Sequence, residues 1–104
     1  MLCTDELIQS VWEKGAIDSK NDSKYWRKDQ CGAWISRSEY GREQSLFGWE
    51  IDCVRSESEK GGQELSNMRP MQWNNNSRRH DGGMVCVLKA VGVKNCDILP
   101  AAIQ

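Results

Sequence analysis

The chain has no long apolar run. Its longest, Met84 to Leu88, is too short to cross a bilayer, which excludes a helical membrane span. It also has no surplus of positive charge: 14 Lys and Arg stand against 15 Asp and Glu, for a net charge of −1. Tight nucleic-acid binders draw most of their affinity from neutralised phosphates and released counterions, so bulk charge speaks against that class and leaves only a local basic patch. No two of the cysteines (Cys3, Cys31, Cys53, Cys86, Cys96) have Cys-x-x-Cys spacing, so a four-cysteine zinc site has no support. Their odd count and irregular spacing predict reduced thiols in an intracellular protein instead of a disulfide framework. The opening residues carry an acidic pair, Asp5-Glu6, where a signal peptide needs positive charge. The expectation is a soluble, cytoplasmic protein. Internal repeats, linkers and low-complexity tracts are absent.

What remains is enough for one domain. At 104 residues the chain is too short for two cores, and its five tryptophans argue against disorder, because large aromatics offset the entropy of ordering. Residues 4–14 read as an amphipathic helix. Thr4 is its N-cap, Asp5 and Glu6 suit the positive helix start, and Gly15 stops it. Leu7, Ile8, Val11 and Trp12 form one apolar face, read as core packing. Residues 15–24 are rich in turn formers. Leu46 to Val54 has strand periodicity, with Phe47, Trp49 and Ile51 on one face and Gly48, Glu50 and Asp52 on the other. A charged loop from Arg55 to Gln63 ends in Gly61-Gly62. Asn67 to Met71 reads as the second arm of a hairpin, Gln72 to about Arg79 as a short polar helix, Met84 to Val91 as a further β-prone segment, and Gly92 onward as irregular.

The blocks Gly48-Trp49-Glu50-Ile51-Asp52-Cys53-Val54, Lys60-Gly61-Gly62 and Leu65-Ser66-Asn67-Met68-Arg69-Pro70-Met71-Gln72-Trp73-Asn74-Asn75-Asn76 resemble the core of the HNH, or ββα-metal, nucleases. That core reads Asp-His, a Gly-Gly turn, a central Asn, then a final His or Asn. Upstream, Val11-Trp12-Glu13-Lys14, Trp26-Arg27-Lys28-Asp29, Cys31-Gly32-Ala33-Trp34-Ile35 and Tyr40-Gly41 are similar to the leading segments of small bacterial single-domain HNH proteins. The resemblance covers most of residues 10–82. It implies an α+β fold: a ββα-metal (HNH-like) core at about 48–82, with an N-terminal amphipathic helix and an additional C-terminal β segment, all in a single domain over 1–104.

Carried over position by position, the resemblance makes Asp52 a ligand of a divalent cation, Mg²⁺ or Mn²⁺ with Zn²⁺ as a further candidate. Hard cations favour such oxygen donors. Asn67 becomes the asparagine that braces loop and base, and Asn76 a second metal ligand from the helix. Cys53 stands at the general-base position that histidine holds in the family, and Ser56 falls where proline is common. A positioned general base contributes roughly 10²–10⁴-fold. A thiol, with an ordinary pKa of about 8.5, can accept a proton, but its sulfur is longer and softer than imidazole. Cys53 therefore reads as an unreactive strand cysteine. His80, the sole histidine, lies one helical turn beyond Asn76. It is a further candidate metal ligand, weighed against a plain helix-end histidine favoured by the dipole.

Arg78, Arg79 and His80 form the one dense basic cluster, with Arg69 near in sequence. Arg69, Arg78 and Arg79 are the candidate nucleic-acid-binding residues, and Lys24, Arg27 and Lys28 extend that patch if the fold brings them together. Glu57, Glu59 and Glu64 oppose it. Trp26, Trp34, Trp49 and Trp73 read as framework and not as base-stacking residues. The expectation is an HNH-endonuclease-like protein, catalytically weak or inactive. It keeps a divalent-metal site and binds nucleic acid weakly, or binds an unidentified protein partner, with no membrane role. Two other readings stand beside it: an active metal-dependent DNA endonuclease, and a structural adaptor.

Overall fold

The computed structural model describes residues 3–55, 61–77 and 85–98, which form a small mixed domain of short helices and three two-stranded antiparallel sheets. Helix α1 (Asp5–Trp12) begins where its cap dictates, with the Thr4 hydroxyl accepting from Leu7 N–H at 3.1 Å and Asp5 and Glu6 in the first turn. Ile8, Val11 and Trp12 are buried, and the helix ends before Gly15.

Strands β1 (Trp26–Lys28) and β2 (Trp34–Ser36) pair as a hairpin, with Arg27 opposite Ile35. Its turn is built by Asp29, whose Oδ1 accepts from Cys31 N–H and Ala33 N–H at 2.9 Å each. Gly32 follows at φ +83, a left-handed conformation that suits glycine. A 3-10 turn (Arg37–Glu39) then leads toward β3 (Trp49–Cys53). That strand is shorter than its sequence pattern, because Gly48 passes tightly over the preceding loop. A Cβ there would lie 1.8 Å from the Arg42 carbonyl oxygen.

A second 3-10 turn (Leu65–Asn67) precedes β4 (Met68–Gln72), and α2 (Trp73–Ser77) follows at once. The β3–β4 register sets Glu50 opposite Met71, Ile51 opposite Pro70, Asp52 opposite Arg69 and Cys53 opposite Met68. Among the described residues the sheet has two strands, and side chains blunt the edge of β4. Lys14 Nζ donates to the carbonyls of Met68 and, at 2.7 Å, Leu65; Pro70 has no N–H to offer; and Asp29 Oδ2 accepts from Gln72 N–H at 3.0 Å.

Two expectations are corrected here. The stretch after Gly92 is not irregular: β5 (Leu88–Val91) and β6 (Lys94–Asp97) form a third hairpin. Asn95 anchors it, its amide bonding both the N–H and the carbonyl of Trp34 (2.6 and 2.8 Å) and the Leu46 carbonyl (2.8 Å). The cysteines are not all reduced thiols either. Cys31 and Cys86 are joined by a disulfide, their Cα atoms 5.5 Å apart; Cys3, Cys53 and Cys96 are outside it, as thiols. The pairing follows from tertiary structure, since the Asp29 turn carries Cys31 and the residues just beyond Cys86 are held by Asn75.

The core lies where α1 meets the β3–β4 sheet: Ile8, Val11, Trp12, Ile35, Trp49, Cys53 and Met68. The Trp12 and Trp49 rings sit 5.3 Å apart, and Tyr40 meets Trp49 edge-on at 4.9 Å. Among the described residues no helix is long and apolar enough to cross a membrane.

Candidate functional site

Strand alternation separates the two residues that the motif places side by side. Asp52 shares a face of β3 with Glu50, while Cys53 shares the other with Trp49 and belongs to the core cluster, 9% exposed. A thiol enclosed among Trp49, Met68 and the α1 face is packed as a small apolar group.

The Asp52 carboxylate meets a cation from its own sheet. Arg69 Nε donates to Asp52 Oδ2 at 2.6 Å, and Arg69 Nη1 donates to Gln30 Oε1 at 2.8 Å. Both charged side chains are enclosed, with 3% of Asp52 and 11% of Arg69 exposed. Hydrogen bonds offset part of the desolvation cost that such a pair carries.

Asn76 turns to a different carboxylate. Its Nδ2 donates to Glu50 Oε1 at 3.0 Å, and its Oδ1 is enclosed with no hydrogen-bond partner among the described residues. Burial raises the Glu50 carboxyl above its ordinary value; the Asn76 bond opposes this and nearby Glu43 adds to it. The divalent cation implied by the resemblance asks Asp52 and Asn76 for bare oxygens directed at one point. Here Asp52 Oδ2 holds a guanidinium, and Asn76 presents its amide hydrogens to Glu50. The residues as placed do not fit the ion. Among the described residues, no three His, Cys, Asp or Glu side chains gather as a metal cluster.

Asn67 staples the loop that follows β3. Its Nδ2 donates to the carbonyls of Gly62 (2.6 Å) and Arg55 (3.0 Å), and its Oδ1 accepts from Arg55 N–H at 2.8 Å. Loop entry and exit thus close on one buried amide. Ser56, Glu57, Glu59, Arg78, Arg79 and His80 lie outside the described residues, so the basic cluster and the candidate helix pair of Asn76 with His80 receive no structural account.

Arg27 is committed to the framework, donating to the carbonyls of Ser23, Glu13 and Gly15. Lys28 lines the same cleft as Arg69, with its ammonium over the Trp34 ring and beside Asp18. That cleft, about 350 Å³, runs between β4 and the β1 hairpin and is lined by Lys14, Lys28, Gln30, Ser66, Arg69 and Pro70 among others. Trp34 and Trp49 are buried and Trp26 and Trp73 half-buried, as framework residues would be.

The centre of the polar network is a residue that motif reading did not single out. Asp29 Oδ2 accepts from Gln72 N–H and, at 2.9 Å, from Asn75 Nδ2, while Asn75 Oδ1 accepts from Val87 N–H and Leu88 N–H. Burial raises the Asp29 carboxyl, against the lowering effect of these hydrogen bonds. The available signal was the turn pattern Asp29-x-x-Gly32. Compared with known proteins, the chain matches no protein-family model, no curated protein and no solved structure.

Proposed function

We propose that this chain is an HNH-like domain that keeps the nuclease scaffold, has lost efficient phosphodiester hydrolysis and binds nucleic acid weakly. The observation that carries this reading is the β3–β4 register, which pairs Asp52 with Arg69 and turns Cys53 toward Met68 in the core. The order of hairpin then helix, β3–β4–α2, supports the ββα assignment, and the Asn67 staple supports a retained loop. Neither candidate group is arranged for hydrolysis. A buried thiol has no access to a water beside a phosphate, and a carboxylate bonded to guanidinium is a poor metal ligand.

The test is incubation of supercoiled plasmid with the protein in Mg²⁺, Mn²⁺ or Zn²⁺, beside Asp52→Ala, Cys53→His and Cys53→His/Arg69→Gln variants. The expected result is no nicking by the unaltered protein, together with weak, salt-sensitive oligonucleotide binding. Nicking by the unaltered protein that disappears in Asp52→Ala overturns the reading. Nicking gained in Cys53→His alone places the loss at the base. Nicking gained only with Arg69→Gln added places it at the carboxylate too.

A further inference from the structure

The cleft beside β4 has a composition that the fold alone does not require. Lys14, Lys28 and Arg69 line it together with Asp29, while Asp52 and Asp18, outside the lining, pair with Arg69 and Lys28. The Asp29 carboxylate is directed inward: both oxygens accept protein N–H groups, two at Oδ1 and two at Oδ2. Those N–H dipoles partly offset its charge toward an incoming anion.

Arg69 is the fixed element of this wall. Asp52 holds its Nε and Gln30 its Nη1, so Nη2 is the guanidinium nitrogen that neither bond uses. A guanidinium oriented in advance loses little entropy when it binds, which favours planar recognition of phosphate oxygens. Lys14 is anchored by the Leu65 and Met68 carbonyls, close to Ser66. Lys28 lies with Nζ 4.6 Å from the Trp34 ring centroid and 3.4 Å from Asp18, a half-exposed ion pair that a doubly charged ligand can compete with. The volume, about 350 Å³, lies at the small end of ligand sites.

We infer that this cleft is a phosphate-binding site, with Arg69 as its fixed cation and Lys28 as its adjustable one. It takes the phosphate group without a divalent metal, because Asp52 orients the arginine instead of holding an ion. The inference rests on the proposed function for the source of that phosphate, a nucleic-acid backbone, and on the cleft alone for the site.

The experiment is a metal-free NMR titration of the full chain, first with inorganic phosphate and then with a short DNA duplex, repeated on Lys28→Gln. Glutamine keeps most of the stem over Trp34 and removes the charge. The expected result is that both ligands shift Lys14, Lys28, Ser66 and Arg69 signals. Lys28→Gln should weaken both by about tenfold, the cost of one charge-assisted hydrogen bond. It should also lower the salt slope of duplex binding by about 1. Phosphate that shifts Lys20, Lys24 or Lys94 but not the cleft overturns the site. So does binding that Lys28→Gln leaves unchanged. Phosphate seated in the cleft with no duplex binding keeps the site and sinks the nucleic-acid reading. Duplex binding that leaves the cleft unmoved does the reverse.

Discussion

Asp52 and Arg69 face one another across the β3–β4 hairpin, joined at 2.6 Å by an enclosed charge-assisted hydrogen bond. The pair decides what each residue can do. Asp52 spends an oxygen on a fixed cation, and Arg69 is held at the cleft wall instead of sweeping through solvent.

Breaking this pair from one side leaves a buried charge without its partner. Arg69→Met is expected to destabilise the fold by about 3–5 kcal/mol. Asp52→Asn/Arg69→Met should recover much of that loss. Urea unfolding of both singles and the double closes the cycle. Additive losses would show that the two side chains do not depend on each other.

The asparagine staple makes a second, local prediction. Asn67→Ala removes three hydrogen bonds, to Gly62, Arg55 and back from Arg55, and should cost about 1–3 kcal/mol. Asn67→Asp should cost more, since a carboxylate would face the two carbonyls that the amide now serves. Amide exchange at Arg55 is the direct readout. Protection there should fall in both variants, while exchange in the α1 core changes less.

The parts of this structure legible in the sequence are those set by local chemistry. Thr4, Asp5 and Glu6 announce α1, the alternation around Ile51 announces β3, and the Trp set reads as framework because large rings sit beside apolar segments. Long-range pairing left weaker marks. Arg69 reads as a candidate nucleic-acid-binding residue, because nothing local says that Asp52 will stand opposite it in register. Asn75 and Asn95 look like polar helix and loop residues, yet each satisfies backbone groups of a distant segment. The Cys31–Cys86 link spans 55 residues, beyond the reach of any spacing rule.

That link is expected to hold β5 against the Asp29 turn. Cys31→Ser/Cys86→Ser should lower unfolding free energy by about 2–4 kcal/mol, the typical range for a disulfide. Alkylation of the unfolded, unreduced protein should label Cys3, Cys53 and Cys96 only. Labelling of Cys31 and Cys86 in the same experiment rules out the bond, and the double serine variant should then match the parent in stability.

Asp29 contributes to the pH dependence, with a sign opposite to that of Asp18, whose carboxyl the Lys20 N–H holds below its ordinary value. Burial raises the folded-state pKa of Asp29 above the ordinary 3.8, so over that window the folded protein keeps a proton that the unfolded chain has released. Its contribution is therefore fully present below 3.8 and is lost as pH rises through the raised folded value. Glu50, raised by burial with Glu43 adding to it, acts in the same direction from 4.5 upward. Glu50→Gln keeps an acceptor for Asn76 and removes the ionisation, so it should raise Tm at neutral pH and leave it nearly unchanged at pH 3. Asp29→Asn behaves differently. It puts an amide NH₂ against protein N–H donors and removes the ionisation, so its stability should show no Asp29 decline above 3.8. Thermal unfolding across this range, run on the parent and both variants, separates the two effects. Glu50→Gln less stable than the parent at neutral pH would contradict the raised Glu50 value.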